Sequence, residues 1–154
     1  AAATPATPDE AGQFGGVAGL YGARGLAALR SSCVCVVGVG GVGSWAAEAL
    51  ARSGVGRIVL VDLDEVCVTN VNRQVHALVP TVGRLKVEVM AERVRQISPT
   101  CEVEQVADFV DAGNCAAVVR SARADYVVDA IDDLDAKAAL VAHCRREGVR
   151  LVVT

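Results

Sequence analysis

Apolar and polar positions follow one another along the chain in blocks that predict strands alternating with helices. Short apolar runs predict strands at 33–39, 56–62, 101–106, 124–132 and 149–153. Apolar residues at helical spacing predict helices at 17–30, 41–53, 83–97, 111–121 and 134–147. This alternation indicates an α/β fold with a doubly wound, mostly parallel sheet. Ligands bind such sheets at the carboxyl ends of the strands, so we expect the loops there to surround one crevice.

The two ends of the chain differ from this regular middle. Residues 1–12 begin with the low-complexity stretch AAATPATPDE, which predicts a disordered leader ahead of a single domain at 13–154. The last strand reaches the final residue without a cap or tail. We therefore expect the sequence to be the N-terminal part of a longer protein.

A glycine-rich turn separates the first strand from its helix. Gly38, Gly40 and Gly43 form a G-x-G-x-x-G motif, and Gly41 adds a fourth glycine. Such a turn allows a positive φ, close approach of the backbone to phosphate, and free N–H groups at the helix start. Asp62 ends the second strand, where a carboxylate can accept hydrogen bonds from ribose hydroxyls. These features predict a Rossmann-like nucleotide-binding fold and fit a dinucleotide as well as any other nucleotide.

A second polar segment distinguishes between nucleotides. The stretch DLDEVCVTNVNRQVH contains Asp64, Asn70 and Arg73. An arginine clamps terminal phosphate oxygens and an amide orients phosphate or metal-bound water, which favours a triphosphate. Lys86 opens the next helix within reach of an α-phosphate, and Asp132 follows the fourth strand, where a carboxylate suits Mg²⁺. We therefore predict ATP and Mg²⁺ as cofactors, with Arg73 and Lys86 catalytic and Asp132 binding the metal.

Composition and charge narrow the possible functions. With 53% hydrophobic and only 3% aromatic residues, the core must consist of Val, Ala and Leu, as in a parallel sheet between helices. On helix 41–53 we expect one buried face, formed by Val42, Trp45, Ala46, Ala49 and Leu50. The net charge of −3 argues against a generally basic, phosphate-coating protein but leaves room for local basic patches. No apolar run reaches the roughly 18 residues of a membrane span.

Six cysteines and two histidines offer further candidate chemistry. No two cysteines form a C-x-x-C pair, so we interpret them as small buried residues of a protein in the reducing cytoplasm. Cys67 lies between valines and is expected to be buried and inert. His76 and His143 have no Cys or Ser partner and are interpreted as structural or surface residues.

The order and spacing of the motifs resemble a known superfamily. G-x-G-G-x-G, D-x-D-x-V-x-x-x-N-x-x-R-Q, V-G-x-x-K and D-x-x-D follow one another as in the ubiquitin-activating-enzyme-like adenylation enzymes. That superfamily includes the molybdopterin and thiamine sulfur-carrier adenylyltransferases. Within it, QFGGVAGLYG, VGSWAAEALARSG, DEVCVTNVNRQVHAL and VVDAIDDLDAKAALVAHCRREG are most similar to the tRNA threonylcarbamoyladenosine dehydratases. The resemblance covers residues 13–154.

The resemblance implies an activity and a set of ATP contacts. It implies adenylation of a carboxylate by ATP, followed by ring closure with loss of water, on a modified tRNA and in a homodimer. Asp62 would hold the ribose, and Gly41 with its neighbours would lie against the nucleotide. Three side chains would address the phosphates, namely Asn70, Arg73 and Lys86.

The chain departs from the family pattern at three places. Gln13 and Gly19 stand where the family usually has arginines, so a phosphate-directed arginine that can act across a dimer is missing. The resemblance implies Mg²⁺ at Asp132, but Asp133 replaces the Asn or Ser that commonly follows it. The family also continues beyond the final VVT. These departures favour ATP binding over turnover for this chain.

Other classes remain open at this point. A sulfur-carrier adenylyltransferase would use the same ATP site on the Gly-Gly tail of a ubiquitin-like protein. A non-catalytic nucleotide-binding domain would keep the fold without the reaction. A nicotinamide oxidoreductase is supported by the glycine turn alone.

Overall fold

The computed structural model describes residues 10–154 and contains one five-stranded sheet in that range. The strands are β1 Cys33–Val37, β2 Arg57–Val61, β3 Glu102–Val106, β4 Tyr126–Asp129 and β5 Arg150–Val153. Their spatial order is β3-β2-β1-β4-β5, and every neighbouring pair is parallel. The predicted α/β fold with a doubly wound parallel sheet is therefore confirmed.

Helices connect the strands on both sides of the sheet. Those described are α1 Glu10–Gln13, α2 Gly15–Ser31, α3 Gly43–Arg52, α4 Lys86–Ile97, α5 Cys115–Ala122 and α6 Leu134–Glu147. Helix α6 has its predicted bounds, whereas α4 and α5 begin later than predicted. Gly22 kinks α2 with a φ of 73°. None of the helices between residues 10 and 154 is long and apolar enough to cross a bilayer.

Residues 1–9 of the predicted leader, 1–12, lie outside the described residues. Residues 10–12 belong to the single turn of α1, in which Gln13 donates a side-chain hydrogen bond to the carbonyl of Ile97. The predicted boundary between leader and domain stays a prediction.

The core consists of two apolar layers, one on each face of the sheet. Helices α3 and α4 pack on one face, with Ile58 and Leu60 of β2 completely buried beneath them. Helices α5 and α6 pack on the other face, over Cys35 and Val59. Strand β1, CVCVV, is buried at every residue because it lies in the middle of the sheet with helices on both sides. Since the strands are parallel, the helices begin beside the carboxyl ends of the strands, together with the loops that lead into them.

The predicted buried face of α3 is wrong. Val42 and Trp45 are each 54% exposed, and the buried positions are instead Gly43, Ser44, Ala47, Glu48 and Ala51. Small residues occupy the buried face because the helix lies close against the sheet and against α4. One charged residue, Glu48, is buried among them because its carboxylate is paired with arginines.

Glu48 is the charged residue on that buried face. Its Oε1 lies 2.8 Å from Nε of Arg52 and 3.1 Å from Nη2 of Arg93, and its Oε2 accepts from Nε of Arg93. Burial alone would raise the pKa of the Glu48 carboxyl, but the hydrogen bonds from Arg93 and Arg52 lower it. The ion pair to Arg93 thereby joins α3 to α4.

The prediction that all cysteines are buried holds for five of them and is wrong for Cys67. All six are free thiols, and burial raises the pKa of Cys35 to about 12. Cys67 is exposed because its segment is an irregular loop and not a strand. Burial changes abruptly along this loop, since Val66, just before Cys67, is 1% exposed and Val68, just after it, is 71% exposed.

Candidate nucleotide-binding site

The carboxyl ends of β1, β2, β3 and β4 surround one cavity of about 920 Å³. Its walls include nine of the ten predicted site residues: Gly38, Gly40, Gly41, Asp62, Asp64, Asn70, Arg73, Lys86 and Asp132. Gly43 lies behind the wall. A second cavity, of about 570 Å³, lies along α2 and is lined by three alanines with Leu26, Arg30 and Ser31. Only the first combines apolar walls with convergent polar groups, as a ligand site requires.

Two glycines of the turn are required by its shape. Gly38 has a φ of 87°, and a Cβ there would lie 2.7 Å from the carbonyl oxygen of Ala130. A Cβ at Gly43 would lie 1.8 Å from the carbonyl oxygen of Gly38. A side chain at Gly38 would collide with the loop after β4, and one at Gly43 would push the start of α3 away from the end of β1. Of the four glycines, Gly38 alone has the predicted positive φ.

The other two glycines expose bare backbone to the cavity. A Cβ at Gly40 would have Gln74 Nε2 as its nearest neighbour, at 3.9 Å, and one at Gly41 would lie 3.5 Å from Cδ of Arg73. Helix α3 starts beside them with no side-chain cap. Its first N–H groups can therefore donate to an anion, and the helix dipole favours negative charge there.

Asp62 braces the glycine turn against the second strand. Its Oδ2 accepts from the backbone N–H of Val39 at 2.7 Å, and its Oδ1 accepts from that of Asp64 at 2.8 Å. Its own N–H donates to the carbonyl of Val106 at 3.1 Å, which places Asp62 beside the end of β3. Each carboxylate oxygen still has a lone pair, so the side chain can also accept from ribose hydroxyls.

Lys86 and Asp64 form an ion pair on the cavity wall. Nζ of Lys86 lies 2.6 Å from Oδ2 of Asp64, and the lysine side chain is only 7% exposed. The backbone N–H of Lys86 also donates to the carbonyl of Asp64, at 2.9 Å, so the first turn of α4 is tied to the β2 loop. An ammonium has three N–H donors, and two remain for phosphate oxygens.

Asn70 and Arg73 lie on the loop that follows β2. Asn70 is 8% exposed, and its Oδ1 accepts from the N–H of Cys67 at 2.9 Å. Its Nδ2 makes no hydrogen bond to the described residues and is available to a ligand. Arg73 is exposed, and its Nη1 donates to the carbonyl of Thr69 at 3.1 Å and to Oδ1 of Asn72 at 3.0 Å. These bonds hold the guanidinium against its own loop, and Arg73 forms part of the cavity wall.

Three aspartates near the end of β4 have different surroundings. Asp132 is exposed on the cavity wall, whereas Asp129 is fully buried with Oδ2 3.0 Å from Nζ of Lys137. Asp133 caps α6, since its Oδ1 accepts from the N–H of Ala136 at 2.7 Å. Asn and Ser, which commonly stand at this position, cap helices about as well, so the departure from the family pattern keeps the cap.

The donor set fits a magnesium ion that is bound together with a nucleotide. Mg²⁺ sites of this kind use one or two carboxylates, with substrate phosphates and water as the other ligands. Asp132 supplies such a carboxylate at the open side of the cavity. Within residues 10–154, no three His, Cys, Asp or Glu side chains converge as a complete metal site.

Sequence reasoning missed Phe109 on the cavity wall. Phe109 is 62% exposed there, and its carbonyl accepts from Nδ2 of Asn114 at 2.6 Å, which holds the loop after β3 in place. Leu63 and Ile131 add apolar surface to the same wall, which suits a purine base. Gln74 is buried with no hydrogen-bond partner for its Oε1. The available signal was an aromatic residue just after a strand end in a chain with two phenylalanines.

Neither histidine lines the cavity. His76 is 1% exposed, and burial, with the charges of Lys86 and Arg93, lowers its pKa to about 4. It is therefore neutral at pH 7. His143 is also buried, with Nδ1 3.2 Å from Nη2 of Arg146. Both positions agree with the predicted structural role.

An all-parallel sheet with a glycine turn at β1, a carboxylate at the end of β2 and a cavity between them defines a nucleotide-binding α/β domain. Comparison with known proteins assigns it further. The chain matches the ThiF family over residues 16–154 and belongs to that family. The predicted resemblance to the adenylation superfamily is thereby confirmed.

Individual relatives extend this comparison. The chain is 60% identical over 121 residues to the tRNA threonylcarbamoyladenosine dehydratase of Escherichia coli (strain K12), covering 79% of this chain and 45% of that protein. It is 36% identical over 125 residues to the molybdopterin-synthase adenylyltransferase of the same organism, covering 81% and 49%. The crystal structure of E. coli tRNA N6-threonylcarbamoyladenosine dehydratase in complex with ATP matches with a TM-score of 0.91 and 54% identity, covering 96% and 60%. The chain thus spans about half the length of the curated relatives it matches.

Proposed function

We propose that this chain is the ATP-binding part of an enzyme that adenylates a carboxylate. We further propose that the whole protein cyclises threonylcarbamoyladenosine in tRNA. The observation that carries the proposal is the single cavity that collects the bare glycine backbone, Asp62, Asn70, Arg73 and Lys86. The similarity to a dehydratase crystallised with ATP supports the same conclusion.

A carboxylate does not react directly with a nucleophile because hydroxide is a poor leaving group. The proposed reaction first joins the carboxylate to AMP, which leaves easily. A carboxylate oxygen attacks the α-phosphorus of ATP, the bond to the β-phosphate oxygen breaks, and pyrophosphate leaves. The acyl-adenylate that forms is then attacked at its carbonyl carbon by a nitrogen of the same side chain. Its N–H proton is lost, AMP leaves and the ring closes. The oxygen removed from the carboxylate ends in AMP, so the nucleoside loses one water in total.

The protein contributes position and charge to this reaction. Lys86 would contact the α-phosphate, where negative charge develops during attack, and Arg73 would hold the departing phosphates. The uncapped start of α3 would add backbone N–H donors next to Gly41. Mg²⁺ held by Asp132 would neutralise phosphate oxygens when bound. Asp62 would hold the ribose in place by accepting hydrogen bonds from the ribose hydroxyl groups.

We also propose that the whole protein works as a cytoplasmic homodimer. Five of the six free cysteines are buried, as is usual in a reducing compartment. Large apolar side chains remain exposed, among them Leu20 at 74%, Val79 at 84% and Leu134 at 78%. The proposed homodimer would cover some of these side chains at the interface.

Two measurements, made one after the other, test the proposal. Calorimetric titration of this chain with Mg·ATP and with NAD should show tighter binding of ATP, and tighter binding of NAD would end the adenylation hypothesis. The whole protein of which this chain is a part, here called the parent, is then incubated with ATP and tRNA that carries threonylcarbamoyladenosine. The tRNA is digested and the masses of its nucleosides are measured. A loss of one water supports dehydration, whereas an unchanged nucleoside beside an adenylated sulfur-carrier protein would replace it with the carrier reaction.

A matched pair of variants checks the mechanism. Lys86→Ala should abolish turnover with either acceptor, because attack on the α-phosphate is common to both. Arg84→Ala removes the same charge two positions earlier, from a side chain that pairs with Glu92 and does not line the cavity. Equal loss of activity in both variants would contradict the role of Lys86.

A further inference from the structure

Exposed arginines gather at the sheet edge opposite the nucleotide cavity. Helices α5 and α6 run antiparallel to the strands, so both end at the amino-terminal edge of the sheet. Five arginines and a tyrosine lie there, all of them exposed, and we call this set the arginine edge: Arg120, Arg123, Tyr126, Arg145, Arg146 and Arg150.

The arginine edge is one continuous surface. Tyr126 and Arg150 are register partners at the starts of β4 and β5, and Nη1 of Arg150 donates to the tyrosine hydroxyl at 2.9 Å. The Arg150 guanidinium lies over the tyrosine ring, 5.0 Å from its centroid. Helices α5 and α6 pack against each other, and the strands that follow them, β4 and β5, are paired from their first residues.

Most of the positive charge on this surface is uncompensated. Arg120, Arg123 and Arg145 form no ion pair with the described residues. Of the nearby carboxylates, that of Asp125 accepts from the N–H of Cys33 at 2.8 Å and that of Glu147 lies 3.4 Å from Arg146.

The negative charge is concentrated at the other edge of the sheet. Six aspartates line the nucleotide cavity: Asp62, Asp64, Asp108, Asp111, Asp132 and Asp133. The net charge of −3 therefore conceals an acidic edge and a basic edge. The extended phosphate backbone of a nucleic acid would be attracted to the basic edge.

Arg123 occupies a backbone position that an arginine does not favour. It follows α5 with φ 48° and ψ 40° and is the one non-glycine residue with positive φ among the described residues. The matching position after α6 is Gly148, the residue type that this left-handed cap prefers. Glycine is more stable than arginine in this conformation, so the arginine is not explained by the stability of the helix cap.

We propose that the arginine edge binds the phosphate backbone of RNA, with the Arg150 guanidinium, stacked on Tyr126, as a platform for an unpaired base. Guanidinium groups bind phosphate bidentately, and guanidinium planes, like aromatic rings, stack on exposed bases. The proposal rests on the proposed function, in which the substrate is a tRNA. Strands of four or five residues span about 13–16 Å, so one RNA stem-loop can touch this edge and present a nucleotide at the cavity.

The test is RNA binding by the 154-residue chain, measured by fluorescence anisotropy with a labelled anticodon stem-loop at several salt concentrations. Arg120→Gln with Arg145→Gln should weaken binding roughly 25- to 60-fold at about 0.1 M salt and reduce the salt slope by about 1.4–1.8. Affinity for Mg·ATP should not change. The control, Arg24→Gln with Arg84→Gln, removes the same charge outside the arginine edge and should bind RNA as the unchanged protein does.

Arg123→Gly separates a structural role from a binding role. Glycine suits the left-handed backbone, so the melting temperature should rise, while RNA affinity should fall roughly five- to eightfold for one lost phosphate contact. The inference would be overturned if the arginine-edge variants had the same RNA affinity and the same salt slope as the unchanged protein. In that case, tRNA dehydration by the parent would still support the proposed function. Absence of any salt-dependent RNA binding by the unchanged chain would also overturn the inference. An unaltered nucleoside after incubation with the parent would remove the proposed function itself.

Discussion

Replacing Gly40 with alanine tests whether bare backbone at the glycine turn contacts phosphate. The nearest atom to a Cβ there is Nε2 of Gln74, at 3.9 Å, which is an ordinary van der Waals distance, and the φ of Gly40 is not positive. The fold should therefore accept Gly40→Ala, with stability unchanged or higher by about 0.4–1 kcal/mol, because alanine lowers the entropy of the unfolded chain.

The same Cβ should impair nucleotide binding, because it projects into the space through which a phosphate would approach the backbone. Losing one hydrogen bond to a charged group costs about 1.5–3 kcal/mol. Affinity for Mg·ATP should therefore fall about 10- to 150-fold. The variant would thus combine a native melting temperature with weak binding.

Gly43→Ala provides the contrast within the same turn. Its Cβ would lie 1.8 Å from the carbonyl oxygen of Gly38, a backbone atom that cannot rotate away. The overlap should cost at least about 3 kcal/mol, the upper end of ordinary overpacking. For a chain of this length the melting temperature should fall by about 6–12 °C.

Calorimetric titration with Mg·ATP and thermal melting of the two variants decide the question. Gly40→Ala with normal melting and unchanged affinity would refute the reasoning that the exposed backbone contacts phosphate. Gly43→Ala melting like the unchanged protein would refute the packing role of that glycine.

Three further predictions concern single side chains. Asp132→Ala should weaken Mg-dependent ATP binding at an unchanged melting temperature, whereas Asp129→Ala, which strands a partly buried ammonium, should destabilise the fold by about 3–5 kcal/mol. Equal loss of affinity at equal stability would contradict this assignment. His76 has a pKa lowered to about 4 in the fold against 6.5 unfolded, so the unfolded chain binds the proton first and stability falls as pH drops from 6.5 towards 4. Denaturant titrations should show a loss of about 3 kcal/mol over that range, absent in His76→Gln, and the same loss in the variant would contradict it. Cys67 should be the first thiol alkylated in the native chain and Cys35, with its pKa raised to about 12, should stay unmodified until unfolding; mass spectrometry showing the reverse order would contradict this.

The sequence alone determined the succession of strands and helices and the place of the nucleotide site. Helix α6 has its predicted bounds, and Gly38 has the positive φ that the motif predicts. These features depend on local properties, namely the spacing of apolar residues and the backbone freedom of glycine. The parallel sheet then brings the strand ends together, which is why residues as far apart as Asp62 and Asp132 line one cavity.

Only the tertiary structure decided which side chains are buried and which groups are paired. Glu48 is buried on α3 because Arg93, 45 residues away, supplies its counter-charge, and Lys86 is paired with Asp64, 22 residues away. The exposure of Cys67 likewise follows from the path of a loop and not from its valine neighbours. Apolar periodicity records the average environment of a helix face or strand, whereas a buried charge or an exposed thiol depends on one particular neighbour brought close by folding.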